Sequence, residues 1–287
     1  MNKFSVKSYS KINLLLKILN KRQDSYHNIY SLFLELDYSD EIVFSNSSQF
    51  RLTCEGNIDV PSDKTNLIYK AYQLIKSRYR KTNSISIHLK KNIPIYGGLG
   101  GGSSNAATTL LALNKIWQLN LNKKDLEKLG LELGADVPFF IRGGLQEVRG
   151  VGNILKPLIF KKSPPLFFLL VVPSISVSTK WAYENLNKYL HSNQKNYRFT
   201  GSLDQYEWNL YNNDFEELVI STYPEIGEIK NDLLKSGAFF ASLSGSGSTM
   251  FGVYDKISLA KKAQKELTSY QTILTIPKVK STPLYGA

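Results

Sequence analysis

P-I-Y-G-G-L-G-G-G-S-S-N-A-A, residues Pro94 to Ala107, is the stretch on which the rest of the chain is organised. Five of the 19 glycines fall here: Gly97, Gly98, Gly100, Gly101 and Gly102. Lacking Cβ, glycine lets a loop curl through positive φ and lets a ligand touch its backbone. The residues that follow have helical spacing, with Ala107, Leu110, Leu111, Asn114 and Trp117 on one stripe and Ser103 or Ser104 as a candidate N-cap. Upstream, Ser84 to Leu89 alternates as a strand, with Ile85, Ile87 and Leu89 on one face and His88 on the exposed one. Strand, glycine loop and helix together aim free N–H groups and the positive end of a helix dipole at one spot, which suits a phosphate. The loop is not a Walker loop, because Ser103 stands where Lys is required. It is not a dinucleotide fingerprint, because the last position is Ser103 or Asn105. H-R-D and D-F-G are absent, which excludes the protein-kinase set. The alternative, a turn that only packs a helix closely, leaves the entropy cost of so much glycine unexplained.

The 287 residues suffice for one large domain or two ordinary ones, and 42% hydrophobic content supports a real core. A single cysteine, Cys54, permits no internal disulfide; it fits a reducing compartment and reads as a small buried hydrophobe. No run of about 18 apolar residues is present, so no membrane span is expected. No secretory core precedes Lys11, and a cytoplasmic location is expected. The net charge of +12 comes from scattered pairs such as Lys90-Lys91 and Lys261-Lys262. With no long basic run and no RNA-binding signature, a solvated basic surface is expected rather than a nucleic-acid partner. Such a field also draws in an anionic small substrate.

Phe4 to Tyr9 reads as a strand running into S-K-I-N-L, where Lys11 and Asn13 share one face and Ile12 and Leu14 the other. Asp24 to His27 reads as a turn before strands at Ile29 to Leu36, Glu41 to Phe44 and Phe50 to Cys54. Asn66 to Arg78 is an amphipathic helix with Leu67, Ile68, Ala71, Leu74 and Ile75 inward. A helix over Lys124 to Leu133 stops at Gly134. In G-A-D-V-P-F-F-I-R-G-G, Asp136 lies among apolar neighbours, as either a paired carboxylate or a turn and N-cap residue, and Phe139 to Ile141 reads as a strand. The best boundary is Phe160 to Pro165, giving domains 1–160 and 161–287. Beyond it come a strand at Leu166 to Val172, a helix carrying Tyr183 with Thr179 as a candidate cap, and a polar stretch at His191 to Ser202 that reads as a mobile loop. Helices follow at Tyr206 to Ser221 and Glu225 to Lys235. A strand, S-G-S-G turn and strand around Ser244, Gly245, Ser246 and Gly247 makes a second candidate phosphate loop. A helix at Leu259 to Leu267 and a strand at Thr272 to Pro277 finish the chain.

Taken together, S-K-I-N-L at Ser10, Y-H after D-S at Asp24, the glycine loop, L-G-A-D-V-P-F-F at Leu133, N-D-F-E at Asn213 and S-G-S-G at Ser244 resemble the GHMP kinase superfamily over nearly the whole chain. The resemblance implies an α+β, two-domain fold: an N-terminal domain like the second domain of ribosomal protein S5 and a ferredoxin-like C-terminal domain. It implies ATP, with Mg²⁺, against Pro94, Ile95, Tyr96, Gly97, Gly98, Leu99, Gly100, Gly101, Gly102, Ser103 and Ser104. It implies Asp136 as base and Lys11 as its assistant. Within the superfamily the pattern is similar to members acting on a cytidine diphosphate-linked methylerythritol. That implies Tyr26 and Tyr183 sandwiching cytosine, with Asn13, His27 and Thr179 on the cytidine side. The metal's protein ligands are not legible, Ser104 being one candidate. A monomer or weak homodimer is expected. Arg149, often Glu in relatives, and Tyr183, commonly Phe, depart from the pattern. The alternatives are a homoserine- or mevalonate-type kinase, which lacks the cytosine pair, and a basic nucleotide- or RNA-binding module, which leaves Asp136 and Lys11 without a role.

Overall fold

A computed structural model describes residues 3–56, 60–81, 83–158, 165–186, 208 and 210–278. Two sheets face one another, each with helices on its outer side. The first contains β1 (Phe4–Lys21), β2 (His27–Asn46), β3 (Arg51–Gly56), β4 (Ile85–Lys91), β5 (Leu145–Gly150) and β6 (Ile154–Leu158). Its order is β3-β4-β2-β5-β6, with β1 paired to β2; only the β3–β4 pair is parallel. The second contains β7 (Phe167–Val172), β8 (Phe240–Leu243), β9 (Met250–Tyr254) and β10 (Gln271–Thr275), in the order β10-β7-β9-β8. Ile12, Leu14, Leu32 and Leu34 of the first sheet and Phe168, Leu170, Phe251 and Ile273 of the second share one buried apolar cluster, which joins the two sheets. On the outer face of the first sheet lie α1 (Leu67–Arg78), α2 (Gly101–Ile116), α3 (Lys123–Leu133) and α4 (Val137–Arg142); α5 (Thr179–Asn185), α6 (Glu216–Thr222), α7 (Pro224–Lys235) and α8 (Ile257–Glu266) come from the C-terminal half.

The long pair β1 and β2 builds the site. The sequence reads β2 as two strands because Asp37 to Asp40 is polar, yet pairing with β1 continues through Ser39 and Asp40. The register also shifts between Asn13 and Leu15. One extra residue there reverses the in–out alternation. Leu14 and Leu15 both enter the inter-sheet cluster, while Leu16 and Ile18 join the helix-side core with Phe33. The apolar run Leu14-Leu15-Leu16 is thus a bulge filling two cores. Lys11 and Asn13 share a face as expected, and both side chains are buried.

Other expectations shift for local reasons. Phe139 to Ile141 is helical, inside α4, with Pro138 early in the first turn where its missing N–H is not needed. The cap of α2 is Gly100 rather than Ser103 or Ser104. Ser178, not Thr179, caps α5, its hydroxyl accepting the Trp181 N–H at 3.4 Å. Of the helix expected over Tyr206 to Ser221, residues 206, 207 and 209 lie outside the described residues; in the described part the helix begins at Glu216, because the Asn213 segment bridges to Leu16. Lys91, read as half of a surface pair, is buried against Asp40. Most of Phe160 to Pro165, and the His191 to Ser202 stretch, lie outside the described residues.

Candidate functional site

The glycine loop leaves β4 and turns into α2 through Gly98 and Gly100, with φ of 72° and 70°. Both positions exclude a side chain. A Cβ at 98 would sit 2.0 Å from the Ser244 carbonyl oxygen, and one at 100 would sit 2.8 Å from Phe140 and 3.0 Å from Lys11 Cγ. The first helical bond of α2 runs from the Ser104 N–H to the Gly100 carbonyl at 2.9 Å. Helix geometry therefore leaves the N–H groups of Gly101, Gly102 and Ser103 without a carbonyl in the helix. Tyr96 holds φ of 59° and is 72% exposed.

The two glycine loops touch. Ser244 donates its hydroxyl to the Gly98 carbonyl at 3.0 Å. Asn213 donates to the carbonyls of Leu243 at 2.7 Å and Gly245 at 2.8 Å and so shapes the second loop. Its neighbour Asp214 accepts from Lys17 Nζ at 2.6 Å and the Ile18 N–H at 2.8 Å, which ties that loop to β1. Asn213 and Asp214 are structural members of the site that sequence reasoning quoted as a motif without finding a role. N-D-F-E was their only signal, and their partners are far away in the chain.

Lys11 and Asp136 meet at the mouth of this junction, Nζ to Oδ2 3.5 Å, with side chains 4% and 32% exposed. The Lys11 ammonium also donates to Asn13 Oδ1 at 2.7 Å and lies 4.8 Å from the Phe33 ring centroid. Asn13 donates in turn to Ser31 Oγ at 3.1 Å, so its amide holds Lys11. The Lys11 backbone N–H donates to the Leu99 carbonyl at 3.0 Å and fastens β1 to the glycine loop. Lys11, Asn13, Gly98, Gly100, Asp136, Thr179, Tyr183, Gly245 and Ser246 line one cleft of about 240 Å³.

Aromatic rings close the far wall. The His27 ring stacks on Tyr183, centroids 5.0 Å apart and planes 22° apart, and Phe215 meets Tyr183 edge-on at 4.9 Å. Burial, and then the Asp136 carboxylate, push the Tyr183 phenol well above its ordinary value. Burial and Lys21 push His27 below the usual imidazole range. Tyr26 is 62% exposed on the preceding turn, so the structure stacks His27, not Tyr26, on Tyr183. Thr179 Oγ1 lies 2.9 Å from Ser246 Oγ, which joins α5 to the second loop. Ser104 turns inward, its hydroxyl 2.8 Å from Ser8 Oγ. Among the described residues, no group of three or more His, Cys, Asp or Glu could hold a metal, and no helix is long and apolar enough to cross a membrane.

Comparison with known proteins agrees along the chain. Residues 66–144 match the GHMP kinases N terminal domain and residues 183–271 match the GHMP kinases C terminal domain. A 4-diphosphocytidyl-2-C-methyl-D-erythritol kinase from Thermodesulfovibrio yellowstonii is 40% identical over 277 residues, 92% of this chain and 94% of the relative. One from Prosthecochloris aestuarii is 38% identical over 275 residues, 94% of this chain and 95% of the relative. A crystal structure of 4-(cytidine 5'-diphospho)-2C-methyl-D-erythritol kinase superposes with a TM-score of 0.81 at 29% identity, over 96% of this chain and 99% of that one. A homoserine kinase from Cytophaga hutchinsonii superposes with a TM-score of 0.69 over 97% of this chain and 95% of that one. At 18% identity it shows the shared fold alone.

Proposed function

This chain belongs to the GHMP kinases, and on that premise we propose that it transfers the γ-phosphoryl group of ATP to the 2-hydroxyl of 4-diphosphocytidyl-2-C-methyl-D-erythritol, giving the 2-phosphate and ADP. The observation that carries the proposal is the meeting of Lys11 and Asp136, 3.5 Å apart, in a cleft walled by two glycine loops and by the Tyr183 ring.

Phosphoryl transfer asks an enzyme for position and charge neutralisation more than for covalent chemistry. In the proposed mechanism Asp136 accepts the proton of the tertiary 2-hydroxyl as that oxygen attacks the γ-phosphorus, and the bridging bond to ADP breaks. The Lys11 ammonium, held by Asn13, stabilises the forming alkoxide and the transferring group. The residues from Pro94 to Ser104 hold ATP, with the N–H groups at the start of α2 receiving its phosphates, and Ser244 to Gly247 back that loop. Tyr183 is assigned one face of the cytosine; His27, stacked on Tyr183 in this structure, would move aside to admit the base, and the exposed Tyr26 would close on it, with Thr179 on the cytidine side. When bound, Mg²⁺ would supply charge neutralisation on the triphosphate, held chiefly by phosphate oxygens and water. Among the described residues lining this cleft Asp136 is the one carboxylate, and it is kept as the proton acceptor. The proposal further places the GHMP domains at 1–160 and 161–287, in the cytoplasm, in a monomer or weak homodimer.

ADP release from the purified chain with ATP and the cytidine-linked alcohol tests the assignment, with homoserine and mevalonate as competing acceptors. Turnover with the cytidine-linked alcohol alone is the expected result. Turnover with one of the others alone overturns it.

A further inference from the structure

One carboxylate beneath the phosphate loop gathers segments that are distant in the chain. Asp40 is 0% exposed. Its Oδ1 accepts the backbone N–H groups of Asn92 and Ile93, each at 2.8 Å. Its Oδ2 accepts Lys91 Nζ at 2.5 Å and Asn105 Nδ2 at 2.8 Å. An ionised carboxylate offers about four acceptor positions, and all of them are used here. Asn105 also donates to Ser8 Oγ at 2.9 Å, and Ser8 Oγ lies 2.8 Å from Ser104 Oγ. The Lys91 ammonium fills the space beside Gly101, where a Cβ would approach it to 2.8 Å.

These partners are the two feet of the glycine loop. Asn92 and Ile93 lead into it from β4, while Gly101, Ser104 and Asn105 form the first turn of α2, into which it runs. Neither foot needs a buried charge for folding, since well-packed apolar residues are commonly as stabilising as a buried ion pair. What the pair supplies is a fixed separation between the feet, and that separation sets how the loop curves between them. Burial pulls the Lys91 ammonium down and the Asp40 charge holds it up. Losing the carboxylate therefore loosens both feet at once.

We infer that Asp40 is a positioning residue for ATP: by holding both feet of the glycine loop on one side chain, it sets the spacing of the N–H groups that receive the phosphates. Asp40 touches neither substrate nor reacting atoms. The inference rests on the assignment of Pro94 to Ser104 as the ATP cradle.

The test uses the full chain with Asp40→Asn and, as the milder change, Asn105→Ala. KM for ATP, KM for the acceptor alcohol, kcat, thermal midpoint and Kd for a non-hydrolysable ATP analogue are all measured. A core variant, Ile68→Val, controls for stability alone. Asp40→Asn is expected to raise KM for ATP and Kd for the analogue about tenfold or more, since small misplacements of a binding group carry large penalties. Asn105→Ala is expected to raise them several-fold, and the acceptor KM is expected to stay within about twofold of wild type in both. Unchanged analogue affinity in either folded variant overturns the inference. So does a rise in both KM values that merely follows the thermal midpoint, as in the control. Should Asp40→Asn fail to fold, Asn105→Ala decides. A wild-type chain that binds no ATP analogue removes the kinase assignment as well; equal binding by wild type and variants removes only the role of Asp40.

Discussion

Ser244 and Gly98 hold the two glycine loops together: the Ser244 hydroxyl donates to the Gly98 carbonyl at 3.0 Å, and its own carbonyl oxygen occupies the space a Cβ at 98 would need. Gly98 also holds φ of 72°. Gly98→Ala meets both a backbone oxygen and a strained dihedral, each of which an alanine can relieve only by moving the loop. The expected outcome is a loss of about 1–3 kcal/mol in unfolding free energy from the dihedral alone, with a KM for ATP raised about tenfold or more. Urea unfolding and steady-state kinetics on the same preparation check both halves.

Asp136→Asn keeps the shape of the side chain and removes the proton acceptor. Lys11→Met keeps much of the stem and removes the ammonium. Each is expected to lower kcat by roughly 10²–10⁴ while shifting both KM values little. An Asp136→Asn protein with normal turnover would falsify the assignment of this carboxylate as base.

Tyr183 offers a ring, and its hydroxyl is not needed for a stacking role. Tyr183→Phe is therefore expected to behave like wild type. Tyr183→Leu is expected to raise KM for the cytidine-linked alcohol about tenfold, from the loss of base–aromatic stacking, with KM for ATP unchanged. Equal effects on the two substrates would place the ring outside the acceptor site.

Glu35 gives the fold a pH dependence near neutrality. Burial raises its carboxyl to about 7, although it accepts the Gly144 N–H at 2.9 Å. Between the unfolded value, near 4.5, and about 7, the folded chain binds a proton that the unfolded chain has released. Stability from this group is therefore fully present below about 4.5 and is lost as pH rises through about 7, by up to about 3 kcal/mol. Glu35→Gln keeps an acceptor for Gly144 without the titration. Chemical unfolding at pH 5 and pH 8 is expected to show wild type losing stability over that interval and the variant losing less. Parallel behaviour of the two proteins would exclude Glu35 as the cause.

Legibility followed the range of the interactions. Ile85 to Trp117 was readable because strand period, glycine loop and helix period are all local, and the S-G-S-G hairpin was readable for the same reason. Asp37 to Asp40 reads as a break in the sequence alone, because the partners that let Asp40 stay in a strand come from Lys91, Ile93 and Asn105. Lys91 looked like surface charge for the same cause. Local composition leaves Asp136 open between a paired carboxylate and a turn residue, and does not say that Lys11 lies beside it. The Y-H pair showed that an aromatic was present, but only the turn geometry put His27 against Tyr183 and left Tyr26 outside.

The hydrogen bond from the Lys11 amide to the Leu99 carbonyl ties the proposed nucleotide loop to the strand that carries the proposed catalytic ammonium. A shift that reshapes the loop for a different phosphate donor also drags the ammonium away from its acid. On the proposed roles, donor preference and turnover are coupled in this scaffold. Variants selected for another nucleotide should need compensating changes along the first strand before they regain speed.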